Sequence, residues 1–290
     1  MKNSEKRQIL LTNDDGIRSP GLWTAAEALS ELGFVHVVAP RDQFSGAGRS
    51  LPSTSDGMIR SQPMRVHGKD WTVYSVGGTP AQAVLHAVLE ILPQRPDLVV
   101  SGINYGENLG NGVTVSGTVG AALEAASLGI PAIAVSLETE RQYHLSYSEE
   151  VEFSAAGYFC VYFGRLMLTK QLPPDVQVLK IDVPSDASPE TAWEMTRISR
   201  QRYYEPTAPE RESWEHPGIV SYQLSRDPSQ DREDTDVYAL RVKRVVSVTP
   251  LSLDMTSRVD LGDLEAYLRS EGEEDLNTKD TKGTKDTKVF

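Results

Sequence analysis

Gln8-Ile-Leu-Leu-Thr-Asn-Asp-Asp-Gly16 decides how the rest of this 290-residue chain is read. Gln8 to Thr12 is a short apolar run, the pattern of a parallel strand buried on both faces. It leads directly into Asn13-Asp14-Asp15-Gly16. Neighbouring side chains within a strand point to opposite faces. At the carboxyl end, a glycine permits a sharp turn, and both carboxylates can then face one point outside the sheet. Open α/β sheets bind their ligands there. Converging carboxylates repel each other, and a hard cation with oxygen ligands relieves the repulsion. The same four residues are good turn chemistry, and a solvated Asx turn is the plainer interpretation. The downstream segments weigh against it.

Beyond Gly16 the pattern alternates between helix and strand. Ser19-Pro20 reads as an N-cap and first helical residue. Leu22, Ala25, Ala26, Leu29 and Leu32 then recur at helical spacing up to Gly33. Phe34 to Ala39 is a second strand, so residues 8–39 form one βαβ unit. The loop Pro40 to Ser50 is rich in glycine and hydroxyls and leaves that strand at its carboxyl end. Ser45 or Ser50 can present an oxygen there, although a surface loop is the simpler interpretation. Met64-Arg-Val-His67 and Trp71-Thr-Val-Tyr-Ser-Val76 flank Gly68-Lys-Asp70 as a β-hairpin. Thr79-Pro80-Ala81-Gln82 is a capping box, followed by a buried stripe of Ala81, Val84, Leu85, Val88, Leu89 and Leu92.

Asp97 to Ser101 is a third strand that empties into the glycine- and asparagine-rich stretch 102–115. Ser116-Gly-Thr-Val-Gly120 then opens a helix on small residues. Its free N–H groups, beside the hydroxyls of Ser116 and Thr118, make an anion site. Pro131 to Ser136 is a fourth strand. The expected fold is therefore α/β, a doubly wound, mostly parallel, Rossmann-like sheet with polar loops gathered along one rim. Neither a dinucleotide fingerprint nor a P-loop is present.

A helix over 149–169 that buries Cys160 and a strand over 176–183 complete a core spanning residues 1–184. Residues 185–235 are charged, tyrosine-rich and interrupted by prolines, as expected of extended arms that pack on another subunit. Val237 to Val248 alternates like a strand, and Asp260 to Arg269 reads as a short capped helix. Residues 185–270 thus form a C-terminal arm with a returning strand and helix. The low-complexity stretch 271–290 is expected to be disordered.

A net charge of -12 argues against a nucleic-acid polymer or an anionic membrane as partner, but not against a small phosphorylated ligand. No apolar run reaches membrane-spanning length, the first residues lack the apolar core of a signal peptide, and Cys160 is the single cysteine. These features fit a cytoplasmic protein. The histidines are scattered, without zinc-like spacing.

Leu11-Thr-Asn-Asp-Asp-Gly16, Ser45-Gly-Ala-Gly-Arg-Ser50, Gly78-Thr-Pro80, Ser101-Gly-Ile-Asn-Tyr-Gly-Glu-Asn-Leu-Gly110, Ser116-Gly-Thr-Val-Gly-Ala-Ala122, Gly129-Ile-Pro-Ala-Ile-Ala-Val-Ser136 and Ser247-Val-Thr-Pro-Leu251 occur in one order. In these segments the chain resembles the stationary-phase survival protein family of metal-dependent 5′-nucleotidases (SurE-type acid phosphatases). The resemblance implies one divalent ion per subunit, Mg²⁺ or Mn²⁺, held by Asp14, Asp15, Ser45 and Asn104, with the two aspartates also catalytic. It implies phosphate and substrate contacts at Asn13, Gly46, Asn108, Ser116, Gly117 and Thr118. The implied substrate is a nucleoside monophosphate or another phosphomonoester, and the implied assembly is a homodimer or homotetramer with exchanged C-terminal segments. Gln82, Val115 and Ile181-Asp182 depart from the family pattern. Two other readings compete: a covalent aspartyl-phosphate enzyme, and a non-catalytic nucleotide-binding or scaffold protein.

Overall fold

The computed structural model describes residues 6–66, 68–144, 146–224 and 227–270; the expected disorder of 271–290 lies outside them. Strands β1 (Gln8–Thr12), β2 (Phe34–Pro40), β3 (Ile59–Val66), β4 (Lys69–Val76), β5 (Leu98–Tyr105), β6 (Ala132–Leu137), β7 (Val178–Val183) and β8 (Trp193–Met195) belong to one sheet. β9 (Tyr204–Thr207) and β10 (Ser221–Leu224) pair with each other in an antiparallel ladder. β11 (Val246–Leu251) returns to the main sheet, whose order is β3-β4-β2-β1-β5-β6-β7-β11-β8. The run from β4 to β7 is parallel throughout. β3 and β11 lie antiparallel to β4 and β7.

The alternation of side chains along β1 explains why both faces are covered. Ile9 and Leu11 join a cluster with α1 (Pro20–Leu29) residues Leu22 and Leu29. Leu10 faces the other way, towards Val84 of α2 (Pro80–His86) and Val119 and Ala122 of α3 (Gly117–Ser127). Phe159 and Phe163 of α4 (Ser154–Thr169) complete the first layer. Each such large apolar side chain, fully buried, stabilises the fold by about 1.5–3 kcal/mol. The mostly parallel, two-faced sheet expected from the sequence is the one observed.

Beyond Val183 the main sheet gains β11 and β8, so residues 185–253 supply two of its strands. The described chain divides into one unit ending at Leu253 and a second beginning at Asp254. Helix α6 (Leu261–Arg269) lies in that second unit, capped by Asp260, which accepts from the Asp263 N–H.

Two local expectations are corrected. Val237 to Lys243 is not strand. Thr235 caps a helical segment, its hydroxyl accepting from Tyr238 N, and α5 (Asp236–Tyr238) runs into a wider turn over Ala239–Lys243. Arg244 then takes the left-handed conformation (φ 55°), and the strand begins only at Val246. The second correction concerns the stripe on α2. A wide turn over Ala87–Ile91 follows the helix, and the extra residue per turn rotates Leu89 outward to 74% exposure. Ala83 and Ala87 are buried instead.

The capping box at α2 also fastens the loop after β2. Thr79 Oγ1 accepts from Gln82 N at 3.2 Å and donates to Ser50 O at 2.7 Å. Gln82 Oε1 accepts from Thr79 N at 3.0 Å and from Ser55 Oγ at 2.7 Å, while its Nε2 donates to Pro52 O at 3.0 Å. Thr79→Ala removes both hydroxyl bonds, with an expected loss of about 1–2 kcal/mol in urea-induced unfolding.

Candidate active site

The chain leaves β1 for β2 and β4 on one side and returns through α2 to β5 on the other. Strand order therefore reverses between β1 and β5, the place where open α/β sheets form a crevice. Asn13 to Gly16 follow β1 at this point, and Asn104 and Tyr105 close β5. β5 is longer than the sequence suggested. A register irregularity between Ser101 and Asn104 lets it continue to Tyr105.

Asn13 shapes the turn. Its Oδ1 accepts from Gly16 N and its Nδ2 donates to Gly16 O, both at 3.1 Å. Gly16 has φ +95°, a conformation that disfavours any side chain. The two carboxylates that follow are 6% and 2% exposed. Asp14 Oδ1 accepts from Thr118 Oγ1 at 2.5 Å. A Cβ on Gly117 would lie 2.7 Å from Asp14 Cβ and 2.8 Å from its Oδ2, so only glycine lets the start of α3 sit against this carboxylate. Asp15 Oδ1 accepts from Gln43 Nε2 at 3.0 Å, and Oδ2 accepts from Tyr105 N at 3.3 Å. The Asp15 carbonyl accepts from Tyr147 OH at 2.9 Å.

Burial raises the Asp14 carboxyl above its ordinary value, against the hydrogen bond from Thr118. Burial, and then the charge of Asp14, raise Asp15 well above its own. Among the described residues, no lysine, arginine or histidine forms an ion pair with either one. Two buried carboxylates stabilised only by neutral donors fit a divalent cation, because hard oxygen donors and uncompensated negative charge are what such an ion requires. The described residues hold no cluster of three or more His, Cys, Asp or Glu side chains suited to a metal. Neutral oxygens, from hydroxyl and amide side chains, are the further donors the described residues offer beside this pair.

Ser45 and Asn104 each lie one residue from a direct contact to this pair. Phe44 N donates to Asp14 O at 2.7 Å, which anchors the loop bearing Ser45 and Gly46; both are exposed. Asn104 Nδ2 donates to Tyr105 O at 3.2 Å and Gly106 O at 2.7 Å, leaving Oδ1 as the acceptor end. Asn108 sits farther along the same loop, its Nδ2 donating to Ser136 Oγ at 2.8 Å. Ser116 is the N-cap of α3, its Oγ accepting from Val119 N at 3.1 Å. A cleft of about 300 Å³ is lined by Arg41, Phe44, Ser55, Asp56 and Gly78, among others.

The structure thus brings Gly117 and Thr118 directly onto Asp14, holds the adjacent Asp15 through Gln43 and Tyr105, and turns Asn13 inward onto Gly16. Gln43, Tyr105 and Tyr147 support Asp15 but escaped the sequence reading. A glutamine in a polar loop and a backbone N–H carry no signal of their own.

A family profile described as "Survival protein SurE" matches residues 9–205. The chain belongs to the SurE family. It is 45% identical over 265 residues to the protein named 5′-nucleotidase SurE from Thermococcus gammatolerans, an alignment covering 91% of this chain and 97% of the relative. The protein of the same name from Archaeoglobus fulgidus is 41% identical over 262 residues, covering 90% and 97%. The crystal structure of the SurE protein from Aquifex aeolicus superposes with a TM-score of 0.71 at 33% identity, covering 90% of this chain and 99% of that one.

The raised carboxyls give this SurE chain a pH signature. Each binds its proton more tightly folded than unfolded, where the ordinary value is 3.8. The metal-free fold therefore gains stability as pH falls through the raised values, and the pair opposes folding above them. In chelator at about pH 8, Asp15→Asn is expected to raise the melting temperature by roughly 2–4 °C, with the gain shrinking on acidification. Excess Mn²⁺ should stabilise the wild type and leave the variant behind. Differential scanning calorimetry across pH, with and without metal, measures both.

Proposed function

We propose that this chain is a metal-dependent phosphomonoesterase acting on nucleoside 5′-monophosphates, with 3′-nucleotides and short polyphosphate as secondary substrates. The observation that carries the proposal is the pair of buried carboxylates at the switch point, without a cationic partner among the described residues and pressed against the N-terminus of α3. Membership of a family whose curated relatives are named 5′-nucleotidase supports the choice of reaction. Asp14 and Asp15 would hold one Mg²⁺ or Mn²⁺, joined by the Ser45 hydroxyl and Asn104 Oδ1. When bound, such an ion neutralises phosphate charge and acidifies a water molecule.

The protein's own groups do the rest. The first turn of α3 directs N–H groups and the Thr118 hydroxyl towards the carboxylate end of the crevice, where a phosphoryl group gathers charge in the transition state. Asn108, Ser116, Gly117 and Gly46 orient that phosphoryl group, and Asn13 keeps the turn rigid. One of the two aspartates accepts the proton of the attacking water. The P–O bond to the nucleoside breaks as the bond to water oxygen forms, releasing the alcohol and orthophosphate. The cleft lined by Phe44, whose N–H bonds the Asp14 carbonyl, would take the nucleoside, although the carboxylates themselves do not line it.

We also infer a homodimer or homotetramer built by exchange of C-terminal segments. Leu261, Leu264 and Leu268 of α6 are exposed, as are Trp214 and Ile219 of the stretch joining β9 to β10. No described helix is long and apolar enough to cross a membrane, and a cytoplasmic location accords with the lone, buried Cys160.

Hydrolysis of p-nitrophenyl phosphate and a panel of nucleotides, with Mg²⁺, Mn²⁺ or chelator, tests the reading. Asp14→Asn and Asp15→Asn are each expected to lower kcat/KM by at least about 10²-fold, with the fold retained by circular dichroism and the calorimetric Kd for Mn²⁺ raised. Turnover that survives chelation, or wild-type rates in either variant, would refute it. Capture of an acyl-phosphate would instead favour a covalent route.

A further inference from the structure

Lys180, Asp182 and Asp236 are fully buried, yet none of them touches the carboxylate pair. Lys180 Nζ contacts the Asp182 carboxylate, lies 3.2 Å from Asp236 Oδ2, and donates to the Asn108 carbonyl at 2.8 Å. Asp182 Oδ1 accepts from Asn108 N at 2.7 Å. Asp236 Oδ2 accepts from Gly110 N at 3.1 Å, and its Oδ1 accepts from Ser199 N and Val237 N, both at 2.9 Å. Both peptide groups of Asn108 are thus gripped by β7, and Gly110 by the start of α5. Burial alone would lower the Lys180 ammonium; Asp182 and Asp236 outweigh it and hold it above its ordinary value, so the lysine stays charged.

A buried ion cluster of this kind is a poor source of net stability, because desolvation consumes most of the attraction. What it does supply is position. The loop it grips joins two site elements: Tyr105, whose N–H bonds Asp15, and α3, whose Thr118 bonds Asp14. The carboxylates have those other tethers, whereas the cluster reaches the Asn108 backbone directly.

We infer that Lys180, Asp182 and Asp236 are positioning residues that set the Asn108–Gly110 loop for binding the phosphoryl group, and link it to the segments at Ser199 and Asp236. This rests on the phosphomonoesterase reading, in which Asn108 contacts the phosphoryl group. The cluster acts on phosphate affinity and leaves metal binding alone.

The test uses full-length protein, assayed well below the melting temperature of each variant. Lys180→Met/Asp182→Asn removes one charge of each sign, so the cluster's net charge is kept. Asp236→Asn, which keeps one acceptor oxygen for the Ser199 and Val237 N–H groups but sets an NH₂ group against Gly110 N and Lys180 Nζ, serves where the double variant does not fold. Expected are rises of about tenfold in both KM for p-nitrophenyl phosphate and Ki for inorganic phosphate. The Kd for Mn²⁺ should be unchanged, and kcat should fall by less than about threefold. Unchanged KM and Ki in a folded variant overturn the inference, as does a loss confined to kcat or to metal affinity. A wild type with no turnover on any phosphomonoester defeats the parent reading instead. Calorimetric titration of inorganic phosphate into Mn²⁺-loaded wild type and variant then decides on the clamp, equal affinities overturning it.

Discussion

Two carboxylates on consecutive residues are buried side by side with no cationic side chain among the described residues to balance them, and the surroundings of β1 are arranged around that constraint. Removing one charge from water costs several kcal/mol, and a like charge beside it adds to the cost. The chain compensates with neutral donors: a hydroxyl to Asp14, an amide side chain and a backbone N–H to Asp15. Such donors stabilise each carboxylate without cancelling its charge. A site of this kind is strongly anionic, geometrically fixed and selective for a cation that prefers oxygen. The strain it places on the metal-free fold is the ordinary cost of a functional site.

The donors come from elements far apart in sequence, and sheet order is what makes them neighbours. β1 lies between β2 and β5, so the loop after β2 brings Gln43 and Phe44 to one side of the aspartates while the end of β5 brings Tyr105 to the other. α3 closes the third side because Gly117 has no side chain to keep it away. Loops rich in glycine and asparagine are entropically expensive to order. Here the order is imposed from outside: by the capping box that holds Ser50, Pro52 and Ser55, and by the buried ions that hold Asn108 and Gly110.

How much of this was legible follows from the range of each interaction. β1, its acidic turn, the Thr79 capping box and the Ser116 cap depend on residues within a few positions of one another, and the sequence displays them directly. The bond from Thr118 to Asp14 spans 104 residues, and a threonine at a helix start looks the same whatever it faces. Val237 to Lys243 misled because Val237 and Val242 favour strands, while the deciding residues, the cap at Thr235 and the left-handed Arg244, lie at the margins. Lys180 and Asp182 alternate with apolar neighbours on β7, a pattern that reads as one solvated face. Only the fold shows that this face is covered.

An enzyme with a net charge of -12 that handles phosphate has to attract an anion without surrounding it with lysines. A free ammonium near Asp14 and Asp15 would pair with them and occupy the place a divalent ion needs. Neutral N–H groups at a helix start avoid this, since they favour negative charge but are too weak to displace a metal. The buried lysine near the site obeys the same logic. Lys180 is committed to two carboxylates and a carbonyl, so it serves as a strut and is withheld from the crevice. Keeping the buried ammonium on the loop apart from the two carboxylates leaves their negative charge uncompensated within one acidic rim.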